Sequence, residues 1–128
     1  MDPRIAGALA HGHTIDITTT GRRTRVPRRI EIVFHNLDGR IYISGIPNPH
    51  RRRAWLLNLE ADPRLTFHLK GAVVADLPGT ARVITDPEER WPIIQRIARI
   101  WRRDPSEMQA HSPLIEVTIE GYTPAIAA

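Results

Sequence analysis

Polar and apolar residues alternate along much of this chain. In His13–Thr19, HTIDITT, Ile15 and Ile17 share one face, which predicts a half-buried strand. Arg28–His35, RRIEIVFH, does the same with Ile30, Ile32 and Phe34, and Arg40–Gly45, RIYISG, alternates again. Between those two runs stands Asn36–Gly39, NLDG. An Asp-Gly pair flanked by alternating segments predicts a hairpin. Arg64–Lys70, RLTFHLK, aligns Leu65, Phe67 and Leu69. Ala72–Ile84 reads as one or two strands interrupted at Pro78-Gly79, and Leu114–Ile119 as the last strand.

Two segments follow a helical period. His50–Ala61 places Arg52, Trp55, Leu56 and Leu59 at that spacing and ends at Asp62-Pro63, since the residue before proline avoids the helical region. Thr85-Asp-Pro-Glu88 has the form of a capping box. It opens a helix to about Arg103, with Ile94, Ile97, Ala98 and Trp101 on one stripe and Arg96, Arg99 and Arg103 opposite. Pro105–Ala110 reads as a loop or a short helical turn. The expected order is β-β-β-α-β-β-α-β. Tight turns between consecutive strands favour antiparallel pairing. The expected class is mainly β (α+β), a small barrel of about six antiparallel strands with two or three packed helices. Residues 1–128 are expected to form one domain.

The composition is ordinary for a soluble globular chain, with 41% hydrophobic and 25% charged residues. There is no cysteine, so neither disulfides nor thiolate chemistry enter, which fits a cytoplasmic protein. The N-terminal MDPRIAGALAHGH lacks the apolar core of a signal peptide. No apolar run approaches the roughly 20 residues that span a bilayer.

Charge changes the picture. The net charge is +4, and of 18 basic residues all but Lys70 are arginine. A GC-rich genome would also produce that bias. Its distribution is uneven, however: residues 21–53 hold nine arginines against Glu31 and Asp38. The densest stretch is TTTGRRTRVPRR, residues 18–29. Gly21 is expected to permit a backbone geometry that other residues resist. Arg22, Arg23, Thr24 and Arg28 then form a ring of donors suited to a phosphate, or else a solvated basic loop. Pro49–Arg53, PHRRR, sets three more cations at an expected helix start, where the dipole favours anions. The hairpin between the clusters is expected to carry both to one side of the sheet.

Other chemistry finds little support. His11 and His13 are close, but no acidic or cysteine partner stands at ligand spacing, so no metal is expected. Neither Gly-x-Ser-x-Gly nor a phosphate-loop signature occurs. The arginine-rich stretches contain almost no aromatics, which disfavours nucleic acid.

TTTGRRTRVPRRIEIVFHNLDGRIYISG followed by RRRAWLLNLEADPRLTFHLK resembles the deazaflavin-dependent nitroreductase family. That family lies within the split β-barrel flavin and deazaflavin oxidoreductases, which include the pyridoxamine phosphate oxidases. Its pattern is Thr-Thr-x-Gly-Arg-Lys/Arg-Ser/Thr-Gly-x-Pro-Arg, a hairpin, Trp-x-x-Asn-Leu, and x-Asn/Asp-Pro. The likeness runs from about Ile17 to Ile119.

The resemblance implies a split β-barrel that binds coenzyme F420 and transfers a hydride to a small-molecule acceptor such as a quinone, nitroaromatic or activated alkene, with an FMN-binding oxidoreductase of the same barrel, or a cofactor- or nucleic-acid-binding module without turnover, as the alternatives. Arg23, Thr24 and Arg28, with Arg22 beside them, match the segment that holds the phosphate-bearing tail. Ile43, Ser44 and Gly45 match the strand end along the tricyclic ring. Trp55 and Asn58 match the helix over the site, and Arg51, Arg52 and Arg53 a basic position near the phosphate. Tyr42, Ser44 and His68 are the candidate proton donors beside solvent. Arg25 stands where the pattern has glycine, and Ile46 where a lysine is frequent. The resemblance also implies a homodimer, with the pocket open or completed by the second subunit.

Overall fold

In the computed structural model, which describes residues 1–123, six strands close into an antiparallel barrel. They are β1 (Thr14–Thr20), β2 (Pro27–Leu37), β3 (Arg40–Ser44), β4 (Arg64–Leu69), β5 (Ala75–Val83) and β6 (Leu114–Ile119). Around the barrel the order is β1-β2-β3-β6-β5-β4, and β4 pairs back onto β1. This is the antiparallel barrel expected of a split-barrel chain, but it carries four helices rather than two or three: α1 (Pro3–His11), α2 (Ala54–Ala61), α3 (Pro87–Trp101) and α4 (Pro105–His111).

Alternation fills the barrel. Ile15, Ile17, Phe34, Ile41, Ile43, Phe67, Leu69, Ile115 and Val117 are buried in one apolar cluster. Phe34 meets Phe67 edge to face at 5.0 Å, a geometry that contributes about 0.5–1.5 kcal/mol beyond burial. A second cluster lies outside the barrel wall, where Leu37, Tyr42 and Leu114 meet Ile94, Ile97, Ala98 and Met108 of α3 and α4. The β2–β3 hairpin turns through Asp38 (φ 56°) and Gly39 (φ 90°), two left-handed residues as an Asp-Gly turn requires.

Several elements depart from expectation. α1 was not foreseen. Asp2 caps it by accepting from the Arg4 N–H at 2.7 Å, Pro3 opens it, and Leu9 is fully buried in the barrel cluster. β5 runs unbroken through Pro78-Gly79. Pro78 faces Thr66 of β4, but the pairing with β6 begins only at Gly79; a proline is tolerated where the ladder on one side has ended. α2 begins at Ala54, with Arg53 as its N-cap, so His50–Arg52 precede the helix rather than forming its first turn. α3 is capped by Asp86, which accepts from the Glu89 N–H at 3.1 Å; the cap sits one residue later than Thr85.

The register sets the geometry of one barrel end. β1 and β3 finish there, β2, β4 and β6 begin there, and β5 finishes there, as the pairs Thr20–Pro27, Thr19–Leu65, Ser44–Leu114 and Val83–Ile115 show. α2 lies across this end, burying Trp55, Leu56 and Leu59. The basic segments 21–29 and 51–53 both emerge at it.

Candidate functional site

The turn between β1 and β2 is built on two backbone hydrogen bonds. The Gly21 N–H donates to Val26 O and the Arg25 N–H to Gly21 O, both at 2.9 Å. Gly21 is required for close approach rather than for an unusual φ: a Cβ there would lie 2.8 Å from Thr24 Oγ1 and 3.0 Å from Val26 O. The left-handed residue of the turn is Arg25, with φ 62°. That conformation explains the glycine of the family pattern at this position.

Asn58 fastens the turn to α2. Its Oδ1 accepts from the Arg22 N–H at 3.1 Å, and its Nδ2 donates to Thr19 Oγ1 at 3.1 Å. The residue is 4% exposed, so both bonds form away from water, where unpaired polar atoms are costly. Thr19 itself occupies an inward position of β1 where alternation calls for an apolar residue.

Turn and helix enclose a cleft of about 560 Å³. Arg22, Arg23, Thr24 and Arg28 line it on the turn side, and Trp55 and Asn58 on the helix side. Gly21 completes it with Thr19, Pro27, Arg29, Ile30 and Ala54; these last five are not among the expected site residues, although each is a near neighbour of one. Among the described residues, no carboxylate lines the cleft. Its other arginines are engaged: Arg29 pairs with Asp16 at 3.0 Å, and Arg25, at the turn, reaches Asp62 at 3.7 Å. Arg22, Arg23 and Arg28 form no ion pair among the described residues. Three guanidinium groups and a hydroxyl beside an apolar helix face fit a phosphate-bearing, partly planar ligand. Each charge-assisted hydrogen bond to phosphate contributes about 1.5–3 kcal/mol.

The second arginine cluster faces another cavity, also of about 560 Å³, on the far side of the α2 N-terminus. Arg51, Arg52 and Arg53 line it with His50, His111 and Ser112. The two clusters thus share a barrel end but not a cleft. Arg53 lies at the divide. Its guanidinium donates to Ile46 O and packs on Gly45, where a Cβ would come within 2.8–2.9 Å of it. Arg52 pairs with Glu60.

The remaining foreseen residues scatter. Ile43 is buried in the barrel and pairs with Phe34 and Ile115. Ser44 ends β3, and its hydroxyl donates to Pro113 O at 2.6 Å, so its proton is already engaged. Tyr42 faces outward toward α3, in a small hollow with Arg40 and Arg96, and burial raises its pKa. His68 lies on the outer face of β4, 2.6 Å from Thr18 Oγ1 through Nε2 and 2.6 Å from Asp76 Oδ1 through Nδ1. Neither Tyr42 nor His68 lines either large cavity. No three His, Asp or Glu side chains among the described residues stand together as metal ligands, and none of their helices is long and apolar enough to cross a membrane.

A family model described as F420H(2)-dependent quinone reductase matches residues 2–120. Solved structures share the fold. A protein of unknown function from Agrobacterium tumefaciens is 20% identical with a TM-score of 0.65, over 94% of this chain and 56% of that one. An F420-H2 dependent reductase is 18% identical with a TM-score of 0.62, over 82% and 93% of the two chains. A pyridoxamine 5'-phosphate oxidase-like protein from Listeria innocua is 15% identical with a TM-score of 0.62, over 91% of each.

Proposed function

The chain belongs to the F420H(2)-dependent quinone reductase family and is an F420-dependent oxidoreductase; from that premise we propose that it reduces quinones, nitroaromatics or activated alkenes, with the coenzyme's phosphate-bearing tail in the Gly21–Arg28 cleft. The observation that carries this placement is the Asn58 clamp, which holds an arginine-rich turn against α2 with three guanidinium groups that meet no carboxylate among the described residues. When bound, reduced F420 supplies the hydride.

The chain's own residues bind, orient and shield. Arg22, Arg23 and Arg28 neutralise the phosphate, and the Thr24 hydroxyl adds a neutral donor. Trp55, 8% exposed, walls the cleft with an apolar edge that would flank the coenzyme. Ser44 and Gly45, at the end of β3, would hold the ring once the Arg53 guanidinium that packs on Gly45 swings aside. Orientation at near-attack distance is the main task of such a site, so no paired acid and base are needed. With Ser44 held by Pro113 O and Tyr42 and His68 turned away, the proton that follows the hydride comes from water.

We also place the working unit as a homodimer in the cytoplasm, formed from one domain. Val26 and Ile46 are half-exposed apolar residues beside the two cavities, and a second copy would cover them. Sedimentation of the protein at micromolar concentration tests this, and a monomer would refute it.

Titration of the purified protein with F420 beside FMN, read by fluorescence, tests the placement. Micromolar F420 binding that weakens in Arg23→Ala supports it. F420 binding that is indifferent to Arg23 and Arg28 would remove the tail from this cleft.

A further inference from the structure

The second cavity has the same volume as the first and a different chemistry. Leu56, Val83, Ile84 and Leu114 give it apolar walls. Arg90 lies in its floor, 9% exposed. That guanidinium donates to Ile84 O at 3.0 Å, Gln109 O at 3.1 Å and Ser112 O at 2.9 Å, and it meets no carboxylate among the described residues. Carbonyl dipoles hold its two terminal nitrogens, and no carboxylate among the described residues balances its charge. Ser112 also lines the cavity; it is 6% exposed, and its Oγ has no hydrogen-bond partner among the described residues. A buried hydroxyl without a partner carries a cost that a bound polar group would remove.

The rim adds charge of the same sign. Arg51 forms no ion pair among the described residues, and Arg53 bonds only a carbonyl. Burial chiefly, and the neighbouring Arg51 charge second, lower the pKa of Arg53. No Asp or Glu lines the cavity. It opens beside the end of β3, because Ser44 is bonded to Pro113, which lines it.

We propose that this cavity is the acceptor site and that it selects an anionic acceptor: a flat, reducible ring carrying a carboxylate or sulfonate. The ring packs between Leu56 and Ile84. The anion is held by Arg51 and Arg53 over the uncompensated Arg90 charge, and Ser112 Oγ donates the remaining hydrogen bond. This rests on the reading that the coenzyme ring lies along Ser44–Gly45. For a quinone the reduction balances as one hydride from the reduced coenzyme and one proton from water. The products are the hydroquinone and oxidised coenzyme, whose released proton returns to water.

Binding is tested first without coenzyme. Naphthalene-2-sulfonate and neutral 2-naphthol are titrated calorimetrically into the protein. The sulfonate is expected to bind about tenfold more tightly, and Arg51→Gln and Ser112→Ala to reduce that preference severalfold. Arg23→Ala is expected to leave it unchanged. Equal binding of both probes, or a preference that follows Arg23 instead of Arg51, overturns the proposal. Turnover with F420 then compares 1,4-naphthoquinone-2-sulfonate with menadione. Arg51→Gln is expected to raise KM for the sulfonate about tenfold and to leave menadione's KM unchanged. Equal changes in both overturn the selectivity while the reductase reading stands. Sulfonate binding with neither quinone reduced overturns the acceptor assignment and the reductase reading together.

Discussion

The Asn58 carboxamide and the Arg22 backbone N–H meet at 3.1 Å, joining α2 to the arginine turn across 36 residues of chain. The same carboxamide donates to Thr19 Oγ1 on the strand that delivers the turn. One side chain therefore fixes the angle at which three guanidinium groups enter the cleft.

Replacing Asn58 with leucine keeps the volume and removes both bonds. The Arg22 N–H and the Thr19 hydroxyl lose their partner, and buried Thr19 has no water to replace it. Stability is expected to fall by about 1–3 kcal/mol, measured by urea denaturation of the apoprotein. F420 affinity is expected to fall further than stability alone explains, because the turn loses its fixed orientation. Unchanged F420 affinity in a folded Asn58→Leu variant would show that the turn is held by other contacts.

Arg25 at φ 62° predicts the opposite sign. A left-handed non-glycine residue costs about 1–2 kcal/mol, offset in part by the extra freedom glycine brings to the unfolded chain. The Arg25–Asp62 contact, at 3.7 Å with Arg25 mostly exposed, contributes little. Arg25→Gly is expected to stabilise the apoprotein by about 0.5–1 kcal/mol, and Arg25→Val, β-branched, to destabilise it. The shift of the urea midpoint reads both.

These two residues show what the chain disclosed and what it withheld. The barrel was legible because Ile15/Ile17, Phe34 and Phe67 alternate with polar neighbours and Asp38-Gly39 names its own turn. Arg25 was legible only as a departure from a pattern; its backbone conformation supplies the reason. α1 was harder to see, since its alanines and glycine give a faint stripe, although Asp2-Pro3 is a start signal. The separation of the arginine clusters could not be read at all. It depends on α2 starting at Ala54, with the four residues His50–Arg53 between Pro49 and the helix, which leaves Arg51–Arg53 lining one cavity and the Gly21–Arg28 turn the other. Arg90 and Ser112 were equally hidden, because α4 packing alone turns a helix-face arginine and a loop serine into a cavity floor.

Arg23→Ala and Arg28→Ala separate binding from folding. Both side chains line the cleft without an ion pair among the described residues, so their removal leaves no buried partner stranded. The melting temperature of the apoprotein is expected to stay within a degree or two, roughly the effect of a surface change below 0.5 kcal/mol. The Kd for F420 is expected to rise about tenfold in each, the loss of one charge-assisted contact. Raising salt should weaken wild-type binding more than that of either variant, since fewer charges remain to be screened. Fluorescence titration at two salt concentrations and a thermal scan supply the measurements.

Asp62 ties the turn to the pH of the solution. It is the C-cap of α2, its backbone N–H donating to Asn58 O at 2.8 Å, and Arg64 holds its carboxylate through Nε at 3.0 Å and a second nitrogen at 2.9 Å. The Arg64 side chain first, then the Arg64 backbone N–H, lowers its pKa from 3.8 to about 2, and Arg25 adds a smaller pull. The folded state thus favours the deprotonated form. Between about pH 4 and pH 2 the unfolded chain binds the proton more readily, so stability rises with pH across that window. The Asp62 contribution is fully present above the unfolded pKa and is lost as pH falls through about 2. Other paired carboxylates, Asp16 and Asp76 among them, are lowered in the same direction, so the comparison must be between variants. Asp62→Asn is expected to be less stable than wild type at pH 7, with the gap closing as the pH approaches 2. Urea midpoints measured at half-unit intervals give the difference curve directly, and a gap that stays constant with pH would remove the charge of Asp62 from the account.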